Sequence, residues 1–203
     1  MSDTSAPGAA RWVPPTAGLE DLRAAAPACR GCELWRPATQ VVFSRGPAAA
    51  RVVLVGEQPG DREDLEGEPF VGPAGRLLSD ALREAGIDED AVYLTNAVKH
   101  FRFEQRGKRR LHKTPTVTHL RACAPWLEAE LAVLDPQVVV ALGATAGHAV
   151  LGRPVKVAQE RGRLLEGRYV LTAHPSAVVR LRGRDGFDEA FAELVSDLRL
   201  AAS

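Results

Sequence analysis

Residues 107–113, GKRRLHK, set one imidazole, His112, among Lys108, Arg109, Arg110 and Lys113 in a chain whose formal net charge is zero. A neutral imidazole is a nucleophile, and an imidazolium is not. Four neighbouring cations disfavour a further positive charge, so they are expected to lower the pKa of His112 and keep the ring reactive. The same cations attract phosphate groups. The bland alternative is a solvated basic face. A second reactive set is sulfur: CRGC gives Cys29 and Cys32, and Cys123 stands alone far downstream. Spacing leaves three readings open for these cysteines: a structural zinc site, an iron-sulfur cluster or a redox-active pair. A third set is polar and lies next to apolar runs: Glu57 and Gln58 in GEQPGD, Asn96 in LTNAVK, and His174 in HPS.

Those apolar runs are the elements that position the polar groups. RVVLVG (51–56), AVYLTNAV (91–98), PQVVVALG (136–143) and RYVLTA (168–173) read as buried parallel strands. Between them lie helical patterns. In GPAGRLLSDALREAG, Leu77, Leu78, Leu82 and Ala85 recur at helical spacing and Gly86 provides a stop. TPTVTHLRACAPWLEAELAVL opens on capping threonines and contains Pro125, which predicts a kink or restart. GATAGHAVLG and FDEAFAELVSDLRLAA supply two more helices. Strands alternating with helices predict a three-layer α/β/α sandwich around a central four-stranded parallel sheet. In such sheets ligands sit beyond the carboxyl ends of the strands, which is where Glu57, Asn96 and His174 fall.

The bulk numbers agree with one domain. The chain has 203 residues, 45% hydrophobic and 26% charged, an ordinary globular composition. Residues 1–18 read as a flexible tail without a secretory pattern, and 19–203 as a single domain of a cytoplasmic protein, with no run long enough to span a membrane. Zero net charge argues against indiscriminate coating of nucleic acid and leaves room for a local basic site.

Taken together and in order, GEQPGDREDLEGEPFVGPAGRLL, LTNAVK and HPS resemble the signature segments of iron-sulfur uracil-DNA glycosylases, from about Cys29 to Arg180. GKRRLHK is similar to the basic loop of the UdgX branch, whose members excise uracil and become covalently joined to DNA through a histidine in that loop. Gln58 points the same way, since ordinary members read GEAPG where this chain reads GEQPG. Leu111 replaces a common isoleucine of that branch.

The resemblance implies roles. Phe70 stacks on uracil, Asn96 reads its carbonyl and N–H edge, and Gly56 and Gln58 help to hold the base or sugar. His174 bonds the uracil O2 as charge develops there. His112 attacks the sugar C1′ with Glu57 orienting or deprotonating it. Lys108, Arg109, Arg110, Lys113 and Ser176 contact DNA. Where the family carries its third cysteine stands His100, so Cys29, Cys32, His100 and Cys123 are the implied ligands of a 4Fe-4S cluster, with zinc as the lesser alternative. Uracil-containing DNA is the implied partner, held covalently after excision, and a monomer is the default. The rival readings are a conventional multiple-turnover glycosylase, a non-catalytic metal-stabilised DNA-binding module, and a small redox protein using CRGC.

Overall fold

The computed structural model describes residues 7–15 and 18–202. In chain order its main elements are α1 (Leu19–Ala25), β1 (Ser44–Arg45), β2 (Val52–Gly56), α2 (Asp61–Glu66), α3 (Pro73–Ala85) and β3 (Val92–Asn96), then β4 (Phe103–Arg106), β5 (Arg109–His112) and α4 (Val117–Leu134). They are followed by β6 (Val138–Leu142), α5 (Ala144–Leu151), α6 (Val157–Glu160), β7 (Leu164–Leu165), β8 (Tyr169–Thr172), α7 (Pro175–Val179) and α8 (Phe187–Arg199).

The four predicted strands form the parallel centre of the sheet, β3-β2-β6-β8, in a three-layer α/β/α arrangement. The sheet is wider than expected. Two-residue strands β1 and β7 pair antiparallel at its edges, giving the order β1-β3-β2-β6-β8-β7. Such short strands carry too little alternation to be read from sequence, and they leave little edge open to further pairing.

Both faces of the sheet are covered, so alternate residues of one strand enter different cores. Val53 and Val55 pack with Trp126 and Leu127 of α4 on one side, whereas Leu54 packs with Leu77, Leu78 and Leu82 of α3 and Leu198 of α8 on the other. Each such fully buried aliphatic side chain contributes roughly 1.5–3 kcal/mol. α3 stops where predicted: Gly86 takes a left-handed φ of 78° and its N–H caps the carbonyls of Arg83 and Leu82. Pro125 does not interrupt α4, which runs unbroken through it from a Thr116 cap.

Residues 7–15, expected in the flexible tail, are docked in part. Gly8 and Ala9 donate backbone hydrogen bonds to the carbonyls of Gly31 and Ala122, and Ala9 is buried. Gly31 permits this approach, because a Cβ there would lie 2.8 Å from the Ala9 nitrogen. The rest of the expected tail, residues 1–6 and 16–17, lies outside the described residues. Among the described residues no helix is long and apolar enough to cross a membrane.

One polar cluster sits inside this core. Lys99 pairs with Glu130 of α4, with both side chains essentially inaccessible, and Tyr93 and Thr95 also donate to that carboxylate. Burial pushes the Glu130 carboxyl up while Lys99 pulls it back. The pair ties the exit of β3 to α4, and removing Lys99 alone would leave a buried, uncompensated carboxylate.

Candidate active site

At the carboxyl ends of β2 and β3, Gly56 and Asn96 are register partners. A Cβ on Gly56 would lie 2.3 Å from Asn96 Oδ1 and 2.7 Å from Phe70 Cζ, so only glycine lets the amide and the ring close on the same space. Asn96 is 3% exposed, yet among the described residues nothing bonds its side-chain amide. A buried amide with free donors and acceptors is poised for a ligand. Phe70 sits at φ 60°, a strained conformation for an aromatic residue, and its carbonyl packs where a side chain at position 75 would be, which explains Gly75.

The turn after β8 brings a histidine to the same cavity. His174 caps α7, and its Nδ1 accepts from the Ser176 N–H at 3.1 Å, with the Ser176 hydroxyl at 2.8 Å. A backbone N–H pointing at Nδ1 leaves the proton of the neutral ring on Nε2, making that nitrogen a donor. Burial first, then His112 and Arg180, lowers the His174 pKa to about 4. Asn96, Phe70, His174, Glu57, His112 and Arg180 all face one cavity of about 490 Å³. That volume suits a small ligand.

His112 enters this cavity from outside the sheet. GKRRLHK is the tip and return strand of a two-stranded antiparallel hairpin, β4 with β5, in which Phe103 pairs with His112. Its turn lies at Gly107, φ 57°. Three bonds to Gln58 fasten the base of the hairpin: its Nε2 donates to the carbonyls of Arg102 (3.1 Å) and Lys113 (3.2 Å), and its Oε1 accepts from the Arg102 N–H (3.0 Å). Gln58 lines the cavity, but both of its amide hydrogens are spent on the hairpin, so it is a clamp where a base- or sugar-holding amide was expected.

The basic run divides in two. Arg110 folds inward against Asp61 and Asp64, with Asp64 Oδ2 at 2.6 Å, and lies over the rings of Phe101 and Phe103. Its side chain is only 16% exposed, so it braces the hairpin and is not available to a phosphate as expected. Lys113 pairs with Glu104 at 2.6 Å. Among the described residues Lys108 and Arg109 have no ion-pair partner.

His112 Nε2 lies 3.3 Å from Glu57 Oε1, while the other Glu57 oxygen accepts from the Thr145 hydroxyl. The His112 pKa is lowered, as expected, but from different causes. Burial comes first and Arg180 adds to it, with Glu57 opposing; the hairpin cations are not what depresses it. Arg180, Thr145 and Glu63 are the site residues that sequence reasoning missed. Glu63 is buried at the cavity, where it accepts from the Gly72 N–H at 2.9 Å. Arg180 closes the sequence span singled out above, and only folding brings it to His112.

The sulfur groups are distant from this cavity in the chain but near one another. Cys29, Cys32, His100 and Cys123 line one small cavity between the loop after α1, the exit of β3 and α4. All three cysteines are unpaired and buried. Burial raises the Cys32 thiol to about 11 and that of Cys123 to about 12, and it lowers His100 to about 4, leaving the imidazole neutral. N–H groups of Gly31 and Trp126 point at Cys29 Sγ (3.4 and 3.3 Å), and the Lys99 N–H points at Cys123 Sγ (3.4 Å). Among the described residues no three donors converge closely enough to hold a single metal ion.

The model of the uracil DNA glycosylase superfamily matches residues 43–199. The chain is 40% identical over 162 residues to the Type-4 uracil-DNA glycosylase of Thermotoga maritima, covering 77% of this chain and 81% of that one. It is 30% identical over 188 residues to the Type-4 enzyme of Archaeoglobus fulgidus, covering 87% and 91%. A Type-5 uracil-DNA glycosylase of Thermus thermophilus is 36% identical over 121 residues, about half of each chain.

Proposed function

This chain belongs to the uracil-DNA glycosylase superfamily, and from that membership we propose that it excises uracil from DNA and then traps the opened sugar on His112, acting once. The observation that carries the proposal is the Glu57–His112 pair, 3.3 Å apart, on a cavity that Asn96 and His174 also line. Excision and capture share one chamber.

Uracil in duplex DNA must be flipped out, or taken from a single strand, to reach Asn96. Phe70 then supplies a flat wall and Asn96 a donor-acceptor edge that matches uracil and not cytosine. As the C1′–N1 bond breaks, its electron pair leaves with the base. The Nε2–H of His174 stabilises the resulting negative charge, and a neutral ring suits that task because it still donates without protonating the base. The sugar is left as an oxocarbenium ion. A lone pair of the His112 ring forms the new bond to C1′, and the ring's remaining N–H proton passes to a carboxylate, for which Glu57 is the group within reach. An alkylated imidazole leaves poorly near neutral pH, so the adduct persists. Lys108 and Arg109, which have no ion-pair partner among the described residues, dock phosphate, and the protein acts as a monomer.

We also assign Cys29, Cys32, His100 and Cys123 to a 4Fe-4S cluster. Three thiols and one imidazole line one cavity, and N–H groups already face two of the sulfurs, a donor set and hydrogen bonding suited to an iron-sulfur cluster. When bound, such a group would supply iron-thiolate and iron-imidazole bonds tying the loop after α1 to β3 and α4. Chelation and release of iron from purified protein, with its visible absorption, tests the assignment; a colourless protein with stoichiometric zinc would overturn it.

The test of function mixes protein with a uracil-containing single strand, denatures with heat and detergent, and resolves the products on a gel. A retarded band that needs both uracil and His112 is the expected result. Free uracil with alkali-labile sites and no retarded band would establish the conventional multiple-turnover enzyme, the reading favoured by the Type-4 relatives. Neither signal would leave the DNA-binding module.

A further inference from the structure

A second cavity, of about 470 Å³, lies apart from the one holding Asn96, and its walls include Arg23, Arg30, Trp35, Thr39, Phe43 and His100. No acidic residue lines it among the described residues. Arg30 is held flat: its Nη1 donates to the carbonyls of Pro27 (2.9 Å) and Cys29 (2.8 Å), and its guanidinium lies 4.3 Å above the Trp35 ring. Arg36 also lies over Trp35, at 5.6 Å. Neither Arg30 nor Arg36 has an acidic partner among the described residues, and Arg23 pairs only with exposed Glu20. In a chain of zero net charge, two uncompensated guanidinium groups on one indole are an anion site with a flat platform.

The two cavities are neighbours along one path. The N-cap of α2, Gly60, and its first-turn Glu63 line the first cavity, and its C-terminal cap, Gly67, lines the second. The helix has six residues and is thus about 9 Å long. Arg110 of the hairpin reaches the Thr39 hydroxyl, 3.1 Å away, on the wall of the second cavity. A strand with one base in the first cavity can therefore reach the second within a short run of backbone.

We propose that the Trp35–Arg30 cavity is a nucleotide subsite for the same DNA strand, taking a base neighbouring the excised one against the Arg30–Trp35 stack and a phosphate beside Arg30 and Arg23, with Arg36 adding its charge over the same indole. The combination of a stacking ring and clustered guanidinium groups is how single strands are held without sequence preference. The inference rests on the reading of this chain as acting on DNA, and it adds a contact remote from the excised base.

The test compares uracil release from a short oligonucleotide, with one nucleotide on each side of the uracil, and from a long one extended in both directions. In the wild type the apparent second-order rate constant is larger for the long strand. Trp35→Leu lowers that long-over-short ratio about tenfold. Arg36→Gln, at an exposed position whose loss does not threaten folding, lowers it about threefold and flattens the logarithmic salt slope on the long strand by about 0.7. Unchanged ratios and slopes in both variants overturn the subsite while leaving uracil excision intact. If wild type releases no uracil at all, the functional reading fails, and tryptophan quenching by a uracil-free strand decides the subsite: quenching abolished in Trp35→Leu sustains it, and equal quenching overturns it. Thymidine monophosphate is the control for source. Quenching by the mononucleotide that a long strand cannot displace would assign the cavity to free nucleotides and overturn the strand proposal.

Discussion

Asn96, Gly56 and His174 stand at the ends of buried parallel strands, whereas His112 stands on a two-stranded hairpin fastened to the domain by side chains. The first group is positioned by the core itself: β2 and β3 cannot shift without disturbing both hydrophobic layers. The second is positioned by a few polar contacts, chiefly Gln58 at its base and Arg110 against Asp61 and Asp64. An isolated hairpin has marginal stability, so these contacts and the Phe101–Phe103 stack decide where His112 points. The contrast teaches that base excision and sugar capture rest on separable supports within one cavity.

The sharpest way to break the comparison is to remove one chemical group from each region. Asn96→Ala should lower uracil release roughly 100- to 1,000-fold and the adduct with it, because no trapped sugar forms without cleavage. His112→Ala should abolish the adduct and convert the protein to repeated uracil release. Quantifying free uracil beside the denaturing gel checks both; a His112→Ala protein that released no uracil would show that the regions do not separate.

Next in size is the brace. Arg110→Ala leaves the fully buried Asp64 without its cation and should destabilise the protein by about 3 kcal/mol, read as a fall in thermal midpoint. Gln58→Ala removes three hydrogen bonds and should cost about 1–3 kcal/mol, chiefly as mobility of the hairpin base. In both variants the fraction of cleaved sites captured on His112 should fall more than the rate of uracil release, as water competes for the sugar. Equal losses of release and capture would argue that the hairpin also shapes the uracil wall.

A pH series sharpens the contrast without mutation. Burial depresses both histidines, so each is neutral near neutral pH and gains a proton only below the ordinary histidine range. His174 protonates at about 4, so uracil release should stay flat from pH 8 to about 5 with respect to this group. His112 is half-exposed and opposed by Glu57, so its shift is partial and capture should decline first as pH falls. The same sign applies to stability: the unfolded chain takes up the protons more readily than buried His174 does, so stability contributed above the unfolded histidine pKa of about 6.5 is lost as pH falls toward 4. Capture and release declining together with pH would tie both to one group.

The smallest expected effect is electrostatic docking at the hairpin tip. Lys108→Gln and Arg109→Gln should each weaken binding to any single strand by a similar factor and flatten the logarithmic salt slope by about 0.7. The corresponding change at Lys113 should do less, since Glu104 already neutralises it. Filter binding across a salt series separates the three.

The sequence by itself determined the four central strands, the helices on both faces and the placement of Glu57, Asn96 and His174 at strand ends, because apolar runs ending in polar residues are local patterns. It also determined which residue types were assembled for chemistry. It did not show which of the four cations around His112 were free. That depended on Asp61 and Asp64, some 50 residues upstream in the chain, which fold beside Arg110 and convert a phosphate-binding candidate into a brace. The same holds for Gln58, whose amide is consumed by backbone groups at positions 102 and 113, and for the pKa of His112, which burial and Arg180 set and its sequence neighbours do not. Hydrogen bonds and desolvation act over a few ångströms in space, so tertiary structure alone decided them, whereas hydrophobic periodicity acts along the chain and could be read directly.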